Sequence, residues 1–565
     1  MTTPRRQADD SNARTSQASA TLKTFTHKLR TPLVFLLIFA ALFLLHLPLI
    51  NLPYFWDEAG YFIPAAYDIY TGWDFIPHST LSNAHPPLLM TCIALAWRLF
   101  GFHIAVARTV VLAISALALT GVFRLSERVS NARVAAATVL LTALYPVFFA
   151  QSSLAHLDML VAALTVWGLV FYLPPTEKGG ETGRRGDGEK GRRGDGEMEV
   201  SRAEEAGMLE KPTFRRILCV FLFALAALAK ETAALVPLAL FGWELLCRLV
   251  SRKKQLDVKR EKLASALCVE RRRLASSFAL LLACVPLALW LAYHHARTGY
   301  YFGNPEYFRY NVESTLNVAR ILDTVWRRLA HVTAHMNLWA LTLAGVAAMF
   351  LKPRRDKIIG GDDETVERPR IAISVQLLFA VLILAHVVAL SVVGGAVLAR
   401  YMLPVVPLVV LVWVSTLWRR VPAWPLAVAL VCAAFAYRSV VNPSYAAPWE
   451  ENLAYRDFII VHRDAARFLA ERYPDARVLT TWPASDELKN PYFGYTPRPL
   501  RVFTIENFLP AALERAAQQK SEYDVALLFT THGGPDAEES ARTLGGRIVF
   551  HEERNGQWAA VIVKQ

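Results

Sequence analysis

Charge is what this sequence has least of: 19% of its 565 residues are charged, against about a quarter in ordinary soluble domains. With 54% hydrophobic residues and positive mean hydropathy, the composition excludes a water-soluble globule and points to lipid. Cysteine is scarce too. Cys92, Cys219, Cys247, Cys268, Cys284 and Cys432 are scattered in or beside apolar runs, without the paired spacing of a disulfide framework, a metal cluster or a redox pair. They read as packing residues. The net charge of +13 does not mark a nucleic-acid partner, because no basic, aromatic-interleaved surface accompanies it; Lys and Arg gather in short stretches between apolar runs, as in cytoplasmic loops of membrane proteins. No inverted pair of broken helices of the kind found in secondary transporters stands out. No small-residue cleavage site follows the first apolar run at 31–50, which therefore reads as a retained anchor.

Twelve apolar segments are present, at 31–50, 85–100, 104–123, 133–149, 156–173, 215–229, 232–250, 276–295, 336–351, 371–393, 399–417 and 422–440. Between them, the stretches 124–133, 174–215, 248–275 and 352–370 hold clusters such as Arg252-Lys253-Lys254, Arg271-Arg272-Arg273 and Arg354-Arg355, which belong on the cytoplasmic side. The polar, basic residues 1–30 are expected to be a disordered cytoplasmic N-terminus. From that start, all four basic loops fall inside only if 85–100 does not cross. His85-Pro86-Pro87 at its start and Trp97, Arg98 and His103 near its end suit headgroup depth.

The expected fold is thus an all-α polytopic membrane protein, with about eleven transmembrane helices and further juxtamembrane helices across 31–440. Within it, 174–215 twice repeats Gly-Arg-Arg-Gly-Asp-Gly-Glu and reads as a low-complexity cytoplasmic linker. The region 441–565 changes character. A helical run at 456–472 and strand-like runs at 477–481, 524–529, 547–550 and 559–563 predict a small extracytoplasmic α/β domain. It contains no nucleophile elbow, phosphate loop or metal pattern, and serves either to bind an acceptor or to cap the membrane part.

The same parity puts the loops 51–84, 150–157, 230–231 and 296–335 on the outer face. Trp56-Asp57-Glu58 follows the first helix, where charge beside hydrocarbon is costly and calls for a reason. Asp57 can serve as a general base for an attacking hydroxyl, or the two acids can cap a juxtamembrane helix. Asp158 opens an otherwise apolar helix, and two acids from separate loops suggest acceptor orientation or a divalent-cation site, the one cofactor these residues leave room for. Lys230 and Arg400 are placed to meet a lipid-phosphate leaving group; taken singly, each also fits an interfacial snorkel or a local ion pair. His85 can donate to phosphate or merely start a helix. Tyr300, Tyr301, Phe302, Tyr307 and Tyr310 supply rings that stack on sugars or, for most of them, anchor at headgroups.

The ordered set Trp56-Asp57-Glu58, Tyr61, Gly72-Trp73-Asp74, His85-Pro86-Pro87-Leu88, Leu99-Phe100-Gly101, Arg108, Pro146, Asp158, Lys230 and Arg400-Tyr401-Met402-Leu403-Pro404 resembles glycosyltransferase family 39, over roughly 31–440. That family includes protein O-mannosyltransferases and bacterial lipid A aminoarabinose transferases. The resemblance implies a GT-C membrane fold, a polyprenyl-phosphate sugar donor, inversion at the sugar carbon and a site at the outer interface of the cytoplasmic membrane. It also implies Asp57 and its neighbour Glu58 at the catalytic acidic position, Asp158 as the second-loop acid, and Lys230 and Arg400 on the donor phosphate. Tyr61, His85 and Tyr401 belong to the same binding region. The acceptor is a lipid, a glycan or a protein. His85 stands where the aminoarabinose transferases carry Lys, and Gly60 where they carry Arg, which counts against an aminoarabinose donor. The competing readings are a polytopic lipid or sugar transporter and a noncatalytic envelope assembly protein.

Overall fold

A computed structural model describes residues 30–174, 211–255, 275–357, 365–531 and 533–564. The expectations for residues 1–29, and for most of the linker at 174–215, lie outside the described residues. Among the described residues, seven helical stretches are long and apolar enough to cross a membrane: Arg30–Leu49, Ile104–Val129, Pro212–Ala229, Glu231–Val250, Ala275–Thr298, Val318–Met349 and Ile373–Val392. Four shorter apolar helices accompany them, Leu88–Phe100, Ala132–Leu144, Leu157–Tyr172 and Trp424–Val440. The chain is therefore a multi-pass integral membrane protein; of the about eleven spans expected, seven are helices of full crossing length, and the runs at 133–149, 156–173, 399–417 and 422–440 hold shorter helices.

The difference has local causes. Pro146 breaks the 133–149 run into Ala132–Leu144 and Pro146–Gln151, because proline cannot donate the helical hydrogen bond. The 399–417 run becomes a 3-10 turn, Ala399–Met402, followed by Val406–Arg420. Leu88–Phe100 has 13 residues, about 20 Å at 1.5 Å per residue, which falls short of a hydrocarbon core of roughly 30 Å.

Leu157–Tyr172 is the central helix. It is apolar on every side and buried along most of its length, as a helix enclosed by others must be. It packs between Ile104–Val129 and Pro212–Ala229. A Cβ on its Gly168 would lie 2.4 Å from Phe223 Cε1, so the missing side chain is what lets the two helices approach. Asp158 sits on the first turn of this enclosed helix and is held as firmly as the bundle itself.

The C-terminal region forms the expected α/β unit. Ala454–Arg472 packs on a five-stranded sheet of order β4-β3-β5-β7-β6, with β3 Arg477–Thr480, β4 Arg501–Thr504, β5 Val525–Phe529, β6 Gly546–Arg554 and β7 Gln557–Lys564. β3 pairs in parallel with β4 and β5, while β7 runs antiparallel to β5 and β6. The edge strand β4 was not expected from the sequence; a four-residue, half-exposed edge carries too little alternation to stand out. A small hairpin, β1 Arg355–Lys357 with β2 Thr365–Glu367, lies apart from this sheet.

The unit does not stand off from the membrane part. Its buried Tyr495 donates a hydrogen bond to the Tyr54 carbonyl at 3.0 Å, and Tyr54 N–H donates to the Phe493 carbonyl at 3.1 Å. Tyr492 stacks on Tyr67 at 5.0 Å. One continuous hydrophobic core runs from Leu49, Tyr54 and Phe55 through Phe458 and Phe493 to β5 and β7. Loop 51–62 is thereby clamped between bundle and sheet.

Candidate active site

Trp56 has a left-handed backbone, φ +46°, and the chain then enters a π-helical turn, Glu58–Phe62. Such wide turns are uncommon and concentrate at functional sites. Here the turn sends Asp57, Tyr61 and Phe62 into a cavity of about 470 Å³, also lined by His85, Asp158, Lys230, Tyr307, Tyr310, Arg400, Tyr401, Trp449 and Glu450. Residues of the loops 51–84, 230–231 and 296–335 therefore meet Asp158 and Arg400 at one place, together with the segment that follows the last apolar helix.

Arg400 is the hub of the cavity floor. Its Nη2 donates to Asp57 Oδ2, its Nη1 lies 3.0 Å from Glu450 Oε1, and its Nε lies 3.4 Å from Asp158 Oδ2. His156 Nδ1 is 2.7 Å from the same Nη1. Lys230 Nζ donates to Asp158 Oδ1 at 2.7 Å and sits 3.9 Å from the centre of the Tyr401 ring, a cation–π contact made stronger by burial. Two cations thus occupy the space between the acids. Among the described residues, no group of three or more His, Cys, Asp or Glu is arranged to hold a metal ion; Lys230 and Arg400 set positive charge beside Asp57 and Asp158.

On the opposite wall, His85 Nδ1 pairs with Glu231 Oε2 at 2.9 Å, and its Nε2 meets the Tyr307 hydroxyl at 3.3 Å. Burial, and then the nearby Asp57 charge, pushes the Tyr61 hydroxyl above its ordinary value. Tyr61 is consequently a neutral hydrogen-bond donor at the cavity edge.

Glu58, expected beside Asp57 among the catalytic acids, does not face the cavity. It is fully buried, accepting from Arg108 Nη1, from Phe55 N–H and from Ala155 N–H. Arg108 in turn donates to the carbonyls of Pro53 and Ser153. The pair ties loop 52–58 to loop 153–155, and so holds Asp57 and Asp158 on a common frame. Tyr300, Tyr301 and Phe302 do not line the cavity, whereas Tyr307 and Tyr310 do.

Sequence reasoning missed Glu450 and Trp449. A signal for them existed: Trp449-Glu450-Glu451 follows the last apolar helix just as Trp56-Asp57-Glu58 follows the first. The two tryptophan rings meet edge to face at 5.8 Å. In both triplets the first acid faces Arg400 and the second is buried as a brace, Glu451 accepting from Ala399 N–H at 2.6 Å and pairing with His335 at 2.6 Å.

Gly60 has a packing reason. A Cβ there would lie 3.0 Å from Cζ2 of Trp482, which itself packs on Trp56 at 4.8 Å. Gly60→Arg is expected to push Trp482 away and cost about 1–3 kcal/mol of stability, the usual range for overpacking, with Gly60→Ala much milder. Thermal melting in detergent checks this, and an unchanged melt for Gly60→Arg would contradict it.

The geometry can be set beside known proteins. Residues 84–181 match the family model Dolichyl-phosphate-mannose-protein mannosyltransferase. This matched stretch contains His85, Arg108, His156 and Asp158; Asp57, Lys230, Arg400 and Glu450 lie outside it. No curated relative matches the chain. Among solved structures, the chain is similar to ArnT from Cupriavidus metallidurans bound to undecaprenyl phosphate, with 14% identity, a TM-score of 0.49, and 94% of this chain and 97% of that chain covered. The apo state of ArnT gives 17% identity, a TM-score of 0.47, and 93% and 97% coverage. The oligosaccharyltransferase AglB from Archaeoglobus fulgidus, in complex with an inhibitory peptide and a dolichol-phosphate, gives 12% identity, a TM-score of 0.44, and 94% and 74% coverage.

Proposed function

We propose that this chain is an inverting membrane glycosyltransferase of the GT-C type. It moves a sugar from a polyprenyl-phosphate carrier to a lipid, glycan or protein acceptor, at the outer face of the cytoplasmic membrane. The observation that carries this reading is the convergence of Asp57, Asp158, Lys230 and Arg400 on one cavity. The family matched by residues 84–181 is named for a donor of the same lipid-phosphate class.

In this reading the acceptor hydroxyl attacks the anomeric carbon while Asp57 takes its proton. The bond from that carbon to the phosphate oxygen breaks, and the electron pair leaves with the phosphate. Lys230 and Arg400 meet the charge that gathers there, where low dielectric makes fixed cations most effective. His85 and Tyr61 donate to donor oxygens, Tyr401 seats the Lys230 ammonium, and Asp158 holds that ammonium in place. An adjoining chamber of about 340 Å³, lined by Leu291, Phe302, Phe308, Val312 and Leu390 and sharing His85, Lys230 and Tyr401 with the cavity, offers the apolar surface that a polyprenyl chain needs. The C-terminal unit lies on the extracytoplasmic side and closes the cavity through Trp449 and Glu450.

The test is transfer by purified protein in detergent, supplied with polyprenyl-phosphate sugars and envelope acceptors, read by mass spectrometry. A new glycosidic bond formed without any membrane gradient supports the enzyme; movement of substrate only in sealed vesicles would replace it with a transporter. Lys230→Gln removes one charge-assisted hydrogen bond, and is expected to raise the KM for the lipid-linked donor roughly 10- to 100-fold with little change in the KM for acceptor. An equal rise in both would contradict the assignment of Lys230 to the donor.

A further inference from the structure

Glu450 has no part in the mechanism above, yet it stands in the cavity as the counterpart of Asp57. The two Trp-acid-acid triplets clasp one guanidinium from two sides, Asp57 at Nη2 and Glu450 at Nη1 of Arg400. The Glu450 side chain is 6% exposed. Its Oε1, though close to Nη1, is not aligned for a hydrogen bond and has no other donor among the described residues. A buried carboxylate oxygen left in that condition is costly.

The charge count shows how the cost is avoided. Lys230 and Arg400 supply two positive charges to three carboxyl groups, Asp57, Asp158 and Glu450. With all three ionised, the cluster is net negative and repels an incoming phosphate. With one proton on Glu450 it is balanced.

Among the described residues, no cation other than Arg400 lies within ion-pair distance of Glu450. The helix Pro146–Gln151, packed against it, presents only Gln151, whose amide donates to the Glu450 backbone carbonyl at 3.0 Å. The helix Ala454–Arg472 presents Tyr455, engaged with Ser153. Glu451 is turned toward His335 and the Ala399 N–H, and His156 lies on the far partner, Arg400. Burial first, and then the Asp57, Glu451 and Asp158 charges, raise the Glu450 carboxyl to about 8 against the lowering pull of Arg400.

We propose that Glu450 is a proton-coupled component of the donor-phosphate site: the site accepts the anionic phosphate when Glu450 carries a proton, so that binding of donor above neutral pH takes up one proton at this residue. The proposal rests on the assignment of Lys230 and Arg400 to phosphate. It makes Glu450 a positioning residue that sets the charge Arg400 can offer, not a group that touches the reacting carbon.

The probe is citronellyl methyl phosphate, a short isoprenoid phosphodiester whose single charge does not titrate near neutrality, added to the full chain in detergent. Calorimetry in two buffers of different ionisation enthalpy reads affinity and proton uptake together. For the wild type, affinity is expected to be flat near pH 7 and to fall toward tenfold per pH unit above about pH 8, with uptake rising toward one proton. Glu450→Gln, neutral at every pH, is expected to bind across that range with the wild-type affinity of pH 7 and to take up no proton. Binding by the wild type without pH dependence or proton uptake overturns the role of Glu450 and leaves the phosphate site standing, as does a Glu450→Gln protein that keeps the wild-type slope. No binding at any pH overturns both. If Glu450→Gln does not fold, the wild-type proton uptake alone decides.

Discussion

Asp57→Asn is expected to give a folded protein that transfers sugar roughly 100- to 10,000-fold more slowly, the range typical for loss of a positioned general base. Asn keeps the shape of Asp and can still accept from Arg400 through its amide oxygen, so the floor of the cavity stays assembled. What disappears is the group that takes the acceptor proton. The check is turnover with a lipid-linked donor, measured beside thermal melting and donor binding, because a loss of kcat with both of the others near wild type isolates the chemical step. Turnover within a few-fold of wild type would remove Asp57 from that role.

The second large effect falls on stability. Glu58→Gln is expected to destabilise the protein by about 3–5 kcal/mol, since removing one partner of a buried ion pair leaves the other charge uncompensated. Arg108 is 1% exposed and Glu58 is fully buried, and the Gln amide group would face the N–H donors of Phe55, Ala155 or Arg108 where a carboxylate now accepts. Glu58→Gln paired with Arg108→Met should recover part of the loss, because the double variant strands no charge. Melting of the three proteins in detergent checks this; a Glu58→Gln protein as stable as wild type would contradict the bracing role. The contrast with Asp57 is sharp for two adjacent acids, one expected to govern rate and the other stability.

That contrast also marks where sequence reading stops. Composition and periodicity were enough for the membrane class, and the short strand-like runs at 477–481, 524–529, 547–550 and 559–563, with Gly/Pro punctuation between them, were enough for four strands of the sheet. Helix lengths were not readable, because Pro146 and the turn at Ala399–Met402 shorten helices without lowering hydropathy. Asp57, Asp158, Lys230 and Arg400 stood out because charge next to apolar runs is conspicuous. Adjacency alone could not tell that Asp57 faces the cavity while Glu58 turns into the core, since that depends on the left-handed Trp56 and the π-helical turn after it. Glu450 escaped notice for the opposite reason. It lies in a polar region, where an acid attracts no attention, and only the fold brings it to Arg400.

The proposed transfer requires the cavity to open on the extracytoplasmic side. Tyr310 lines it and is 57% exposed. In a functional variant with its native cysteines replaced, Tyr310→Cys should react in intact cells with a thiol reagent that cannot cross the membrane, and a lipid phosphate that binds in the cavity should slow the reaction. Labelling only after the membrane is permeabilised would put Asp57, Asp158, Lys230 and Arg400 on the cytoplasmic side, and the proposed transfer with them.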